Sequence, residues 1–153
     1  MAREIEKKFL LRNLPTGITK GTEIQQGYLS VGDPEVRVRA KGGKFFLTRK
    51  GGAGFIREED EYEISKKIFE ILWSLTEGAR IEKTRYEIIG EDGLTWEIDE
   101  FQTGSMRSLF LAEVELPDES VIPEIPTVIA AVIEREVTSD EIYKNKNLAI
   151  NGI

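Results

Sequence analysis

The sequence predicts a mainly β fold built from antiparallel strands, an open sheet or a closed barrel, with a few covering helices. Three observations carry that expectation. Charged residues recur at every second position in segment after segment: Glu4, Glu6 and Lys8; Arg37, Arg39 and Lys41; Glu61 and Glu63; Lys83 and Arg85; Glu97 and Asp99; Glu113 and Glu115. A period of two puts such residues on one face of a strand. About eight segments of this kind follow one another, and most are separated by short turns rich in Gly and Pro, which join antiparallel neighbours and are too short for parallel crossovers.

The elements follow in order. Arg3 to Leu11 is a strand, ended by Pro15-Thr16-Gly17, and Glu23 to Val31 is the next, ended by Gly32-Asp33-Pro34. Val36 to Ala40 and Lys44 to Arg49 form a hairpin across Gly42-Gly43, and Gly51 to Gly54 leads into a fifth strand, Phe55 to Ile64. Ser65 then caps a helix whose apolar positions Ile68, Phe69, Ile71, Leu72 and Leu75 keep a helical period and pack on the sheet, with Gly78 ending it. Strands Arg80 to Ile89, Leu94 to Phe101 and Phe110 to Leu116 come next, divided by Gly90 to Gly93 and by Gly104-Ser105. Beyond Leu116 the chain turns irregular through Pro117, Pro123 and Pro126. A short apolar segment, Val128 to Ile133, precedes Ser139, which caps a last short helix or two through Ile150. No linker or repeat divides the chain, so residues 1–153 are expected to form a single domain.

Composition narrows the function. A charged fraction of 32% against 40% hydrophobic implies that many ionised side chains serve something other than a solvated surface. The net charge of −7 argues against general affinity for nucleic acid or anionic membrane. With no cysteine and no histidine, thiolate and imidazole metal sites and His-dependent triads are excluded, and any metal must be held by oxygen. The N-terminus has no apolar signal core and no apolar run approaches the roughly 18 residues of a membrane span, so a cytoplasmic protein is expected.

Alternation alone also describes a half-solvated sheet. Here, however, the polar positions are ionised groups in pairs of like sign, which repel unless something of opposite charge lies between them. Glu4, Glu6, Glu61, Glu63, Glu97, Asp99, Glu113 and Glu115 suit divalent cations, whereas Lys8, Arg37, Arg39, Lys41, Lys50, Lys83 and Arg85 suit phosphate oxygens. A barrel with both sets inside would be a tunnel for a metal-complexed polyphosphate. Ile5, Phe9, Val36, Val38, Phe45, Leu47, Ile64, Tyr86, Trp96, Ile98 and Val114 would then face outward, covered by helices and a partner subunit.

These residues resemble the CYTH superfamily, the triphosphate tunnel metalloenzymes. The Glu-x-Glu-x-Lys signature stands here as Glu4-Ile5-Glu6-Lys7-Lys8. Arg37-Val38-Arg39, Lys50, Glu61-Tyr62-Glu63, Lys83-Thr84-Arg85, Asp99 and Glu113-Val114-Glu115 follow in the family order over nearly the whole chain. The compact length, with Thr76-Glu77-Gly78 and Tyr143-Lys144-Asn145-Lys146, is similar to short bacterial members that resemble inorganic triphosphatases. The resemblance implies a closed eight-stranded antiparallel barrel with a charged lumen, a requirement for Mg²⁺ or Mn²⁺ with two ions per site, and chemistry on a small-molecule triphosphate. A homodimer is compatible with it.

On that resemblance, Lys8, Arg37, Arg39, Lys50, Lys83 and Arg85 hold the phosphates, and Glu4, Glu6, Glu61, Glu63, Asp99, Glu113 and Glu115 place the metal. Glu63 or a neighbour accepts the proton from water, and Lys8 takes part in catalysis. Tyr28 is either a partner of the signature lysine, as the resemblance implies, or an aromatic at a strand end with its hydroxyl in water. Gly51 to Gly54 lacks the Gly-Lys-Ser/Thr ending of a phosphate loop and makes a hairpin turn. Arg57 either reaches substrate or is a solvated strand residue; Lys144 and Lys146 either close a tunnel mouth or end a solvated helix. Glu82, Glu87, Glu91, Asp92, Glu134 and Glu136 are assigned to ordinary surface. The leading expectation is hydrolysis of inorganic triphosphate to pyrophosphate and phosphate. Thiamine triphosphatase, ATP cyclisation and a non-catalytic polyphosphate or nucleotide binder are the alternatives.

Overall fold

The computed structural model describes residues 2–52 and 56–153, so Phe55, with Ala53 and Gly54 of the expected turn, lies outside the described residues. The strands are β1 (Ala2–Leu11), β2 (Thr22–Ser30), β3 (Glu35–Lys41), β4 (Lys44–Gly51), β5 (Ile56–Ile64), β6 (Arg80–Ile89), β7 (Thr95–Phe101), β8 (Phe110–Glu115) and β9 (Ile133–Glu136). They form one sheet in the order β5-β4-β3-β2-β6-β7-β8-β1-β9, and an additional β1–β5 pairing closes the first eight into a barrel. Every pairing is antiparallel. Closure removes the exposed edges that an open sheet would present.

β1 explains why a ninth strand exists. One edge of β1 pairs with β8 throughout Glu6 to Leu11, whereas on the other edge β5 covers only Ala2 to Ile5. β9 takes the vacated edge at Phe9 to Leu11. The apolar run expected at Val128 to Ile133 is instead divided between a short helix α2 (Thr127–Ala130) and this strand. The Ile-Glu-Arg-Glu sequence of β9 is mostly exposed and carries little strand signal of its own; an available row of backbone donors and acceptors on β1 makes it a strand.

Two apolar layers follow from the alternation. On the outer face Ile5, Phe9, Leu11, Trp96, Ile98, Ala112, Val114 and Leu116 are buried together with Ile129 of α2, and Leu14, Ile18 and Val121 pack around them. Cover therefore comes from the chain's own segments for this half of the barrel. Phe9 and Trp96 contact with ring centroids 5.5 Å apart. The inward face changes character toward one end: Ile81, Phe101 and Leu111 stand two residues on from Lys83, Asp99 and Glu113. They pack with Met106, Val137, Tyr143 and Leu148 of helix α3 (Asn145–Asn151). One end of the barrel is thus filled with apolar side chains while the rest is charged. The last helical turns start at Asp140, whose carboxylate accepts from Ile142 N–H, rather than at Ser139.

Ser65 caps α1 (Lys66–Trp73) through its hydroxyl, which accepts from Ile68 N–H at 3.2 Å. The helix stops well short of Gly78 and buries Phe69 alone; Ile68, Ile71 and Leu75 are exposed. Its inner edge is aromatic, with Phe69 between Phe45 and Trp73 and Arg80 over the Trp73 ring at 4.3 Å. The turn after α1 lies directly on β2 at Gly27, where an added Cβ would stand 2.5 Å from Thr76 Oγ1. Thr76 cannot easily give way, since its hydroxyl donates to Trp73 C=O at 2.8 Å and accepts from Arg80 Nε at 3.0 Å. Among the described residues no helix is long and apolar enough to cross a membrane. Gly27→Ala is expected to destabilise the fold by about 1–3 kcal/mol through overpacking, seen as a fall of several degrees in the melting temperature.

Candidate active site

Inward-facing alternate residues collect into one cavity with two chemically different walls. Glu4 and Glu6 of β1, Glu113 and Glu115 of β8 and Glu97 of β7 line the acidic wall. Across from it stand Arg37, Arg39 and Lys41 of β3, Lys50 of β4 and Arg85 of β6, with Lys8 of β1 set among the acids. The walls differ because the antiparallel register sets Glu6 opposite Glu115 and Glu113 opposite Glu97 on neighbouring strands, and keeps β3 and β4 on the other side of the ring.

Most of these charges are paired. Lys8 Nζ lies 3.2 Å from Glu113, Lys50 Nζ 3.0 Å from Glu4, and Arg57 Nη2 3.1 Å from Glu35. Beneath the cavity, Asp99 accepts from Arg85 Nε at 2.7 Å and Nη2 at 2.8 Å and also meets Lys83 Nζ at 2.7 Å. Burial works against the Asp99 charge, yet the two cations hold its carboxyl far below the ordinary range. Lys83 is fully buried, and burial pulls its ammonium down to about 7 against Asp99, with Arg85 and Arg39 acting in the same direction as burial.

The exceptions are informative. Glu6 and Glu115 face each other across β1 and β8, and neither forms an ion pair among the described residues. Burial, then Glu113 and Glu4, push the Glu6 carboxyl up to about 8; burial, Glu4 and Glu97 raise that of Glu115. Burial likewise raises Glu59 to about 8, assisted by its hydrogen bond to Glu4. Glu4 itself is held down to about 2, because that same bond and Lys50 outweigh its burial. On the opposite wall, among the described residues, Arg37 is buried with its Nε lacking a partner, and Arg39 donates to the neutral amide of Gln26 at 2.8 Å. Burial, Arg37 and Arg85 pull the Arg39 guanidinium down to about 9. A buried guanidinium N–H without an acceptor is costly unless an anion completes it.

Hard oxygen donors in like-charged pairs fit a divalent cation, which would relieve the repulsion at Glu6 and Glu115 and between Glu97 and Glu113. No three carboxylates among the described residues converge as a ready-made cage. A cation there would complete its shell with water and with the anion opposite, a habit of Mg²⁺.

Of the residues singled out from sequence, Glu4, Glu6, Lys8, Tyr28, Arg37, Arg39, Lys50, Glu61, Arg85, Glu113 and Glu115 line this cavity. Lys83 and Asp99 are not on its wall but beneath it, tied to each other. Glu63 is exposed and outside the lining. β5 runs past the start of β1, so its pairing with β1 ends at Glu59, and Glu63 stands two repeats beyond on the overhang. The carboxylate that faces Glu4 is Glu59. Tyr28 is not at a wet strand end: it is buried, its hydroxyl accepts from Gln26 Nε2 at 2.6 Å, and Lys8 turns instead to Glu113 and the Tyr143 carbonyl. Arg57, Lys144 and Lys146 all reach the cavity. Glu35, Glu59 and Thr138 were missed. Glu35 and Glu59 stand in phase with Arg37 and Glu61 and were open to the same alternation argument; Thr138 has no such signal.

Residues 2–146 match the CYTH domain family. The chain is 40% identical over 151 residues to an inorganic triphosphatase of Nitrosomonas europaea, covering 97% of each. It is 44% identical over 155 residues to one of Acetivibrio thermocellus, covering 99% of this chain and 96% of that one. A crystal structure of an inorganic triphosphatase, 39% identical, superposes with a TM-score of 0.67 over 98% of this chain and 96% of that one. A Pyrococcus furiosus protein, 22% identical with a TM-score of 0.57 over 76% of this chain and 80% of its own, shares the fold alone.

The raised carboxyls have a consequence for stability. Glu6 and the Glu4–Glu59 pair hold protons in the folded chain up to about pH 8 that the unfolded chain releases near 4.5. The folded state therefore binds more protons, and stability falls as pH rises between those values. In chelator, the melting temperature is expected to drop from pH 5 to pH 7, below the window where Lys83 acts in the opposite sense. Glu59→Gln keeps a donor for Glu4 but removes a titrating group, so that drop should be shallower.

Proposed function

This chain belongs to the CYTH domain family, and we propose that it is a metal-dependent triphosphatase that cleaves a phosphoanhydride bond of inorganic triphosphate, releasing pyrophosphate and phosphate. The observation that carries this reading is the pairing of two incompletely satisfied walls: a buried Arg37 whose Nε has no partner among the described residues, and Glu6 opposite Glu115 with no ion pair to either among those residues. A polyphosphate with a divalent cation completes both at once. A bare anion would complete only the first. The two relatives that bear the name inorganic triphosphatase, each covering nearly the whole chain, support the choice of substrate.

In this reading Arg37, Arg39, Lys50, Lys8 and Arg85 hold the phosphate oxygens, the arginines through paired N–H donors and the lysines as point charges. Glu6 and Glu115, with Glu4, Glu113, Glu59 and Glu61 nearby, hold Mg²⁺ or Mn²⁺. The cation supplies positive charge to the phosphate chain and makes a coordinated water more acidic. Lys50 and Lys8, paired with Glu4 and Glu113 in the cavity, would turn toward phosphate, and those two carboxylates would then be available to hold the cation. Because β-strands hold every one of these groups near its final place, little reorganisation remains for the chemical step. Lys83 acts from below, sharing with Arg85 the carboxylate of Asp99 that fixes the Arg85 fork. The proton released on attack by water passes to a carboxylate of the acidic wall.

The test is phosphate release from purified protein given inorganic triphosphate, ATP or thiamine triphosphate in parallel, with Mg²⁺, Mn²⁺ or EDTA. Metal-dependent release concentrated on inorganic triphosphate is the expected result. Binding without release from any of the three would replace the enzyme by a polyphosphate binder, and cyclic AMP formed from ATP would replace it by a cyclase. Arg37→Gln should lower kcat/KM about 10- to 100-fold, the worth of a charge-assisted hydrogen bond, with little change in melting temperature.

A further inference from the structure

The segment after β9 converges on a single residue of β1. Val137 N–H donates to the Lys8 carbonyl at 2.8 Å, and Lys8 N–H donates to Thr138 Oγ1 at 3.1 Å. The Lys8 ammonium, besides its ion pair with Glu113, donates to the Tyr143 carbonyl at 3.0 Å. Both backbone groups of Lys8 and its side chain are therefore anchored by residues that follow β9.

Thr138 occupies the position where the β1–β9 ladder runs out. The register ends at the Phe9–Glu136 pair, and the Lys8 N–H is met by a hydroxyl instead of a carbonyl. A hydroxyl has one proton to give, and of the two acceptors within reach of Thr138 Oγ1 the Glu136 carboxylate at 2.6 Å is much closer than the Lys8 carbonyl at 3.5 Å. Its lone pairs are thereby left facing Lys8 N–H. Thr138 also lines the cavity, on the same side as Lys8. Glu136 is exposed and does not line the cavity, so what it contributes is the orientation of this hydroxyl.

We propose that Thr138 is a positioning residue for the triphosphatase reaction: its hydroxyl, oriented by Glu136, fixes the β1 backbone at Lys8 and so the place of the Lys8 ammonium in the cavity. The inference rests on the reading that this cavity hydrolyses triphosphate with Lys8 on the substrate. A small displacement of a cation costs most where charge develops, so the effect belongs in kcat more than in KM.

Four variants decide it, each assayed for kcat and KM on inorganic triphosphate with Mg²⁺ and for melting temperature. Thr138→Val keeps the shape and removes the hydroxyl, and should lower kcat about tenfold or more with KM moved much less. Thr138→Ser restores the hydroxyl and should return most of kcat. Glu136→Gln, on the surface, should lower kcat to a lesser degree with an unchanged melting temperature, and it decides the matter if Thr138→Val fails to fold. Lys8→Met tests the premise. A fully active Lys8→Met protein would sink the reading beneath the inference. An inactive Lys8→Met protein beside a Thr138→Val protein with unaltered kcat would sink the positioning role alone. Equal losses in the Val and Ser variants would likewise overturn it, since packing and not the hydroxyl would then be responsible.

Discussion

Ionised side chains that line a closed barrel lose much of their water, and each has to be compensated by another charge or by what binds there. That constraint organises the molecule. Asp99 is held by Arg85 and Lys83, Glu4 by Lys50, Glu113 by Lys8 and Glu35 by Arg57, so these inward carboxylates each have a cation. Such pairs are a poor source of stability, because desolvation takes back most of the attraction. The fold must draw its cohesion elsewhere, and it does so from the outward face, where Trp96, Ile98 and Val114 are fully buried under α2 and the loop carrying Leu14 and Ile18. A barrel with its charges inside needs a second apolar layer outside, and the irregular segments supply it.

The same constraint yields function where compensation is incomplete. Among the described residues, Arg37 Nε has no partner and Arg39 donates to a neutral amide on one wall, while Glu6 and Glu115 face each other without an ion pair on the other. Filling the cavity with one kind of ion would relieve one wall and aggravate its neighbour. A cation and an oxyanion bound together satisfy both, which is why a metal-complexed polyphosphate suits this interior better than either component alone. The ion pairs that must open are short-range and local, so exchanging them needs side-chain movement and not a rearrangement of strands.

Legibility followed the range of the interaction concerned. Arg37, Arg39, Glu113 and Glu115 were visible because strand alternation is a property of residues two apart. Glu59 and Glu63 obey the same alternation equally well, and only the register of β5 against β1, which runs to the Ala2–Glu59 pair, separates the carboxylate inside from the one on the overhang. Lys83 and Asp99 looked like members of the wall for the same reason. Their depth depends on where the lining turns from charged to apolar around the whole ring, which Ile81, Phe101 and Leu111 mark. β9 and Thr138 were illegible in a stronger sense, since each takes its role from a free edge of β1 over a hundred residues away in sequence.

The sequence by itself determined the eight barrel strands, the charged character of their inner faces, the all-oxygen character of any metal site and the CYTH resemblance. Each is written in local periodicity or in residue chemistry, and neither depends on what lies across the ring. Tertiary structure decided which carboxylates are ion-paired and which are not, which guanidinium N–H is left unpartnered, and how the segment after β9 holds Lys8. Those are questions of closure and register: a barrel brings together residues from strands far apart in the chain, and the energy of a buried charge is set by whichever neighbours that closure provides.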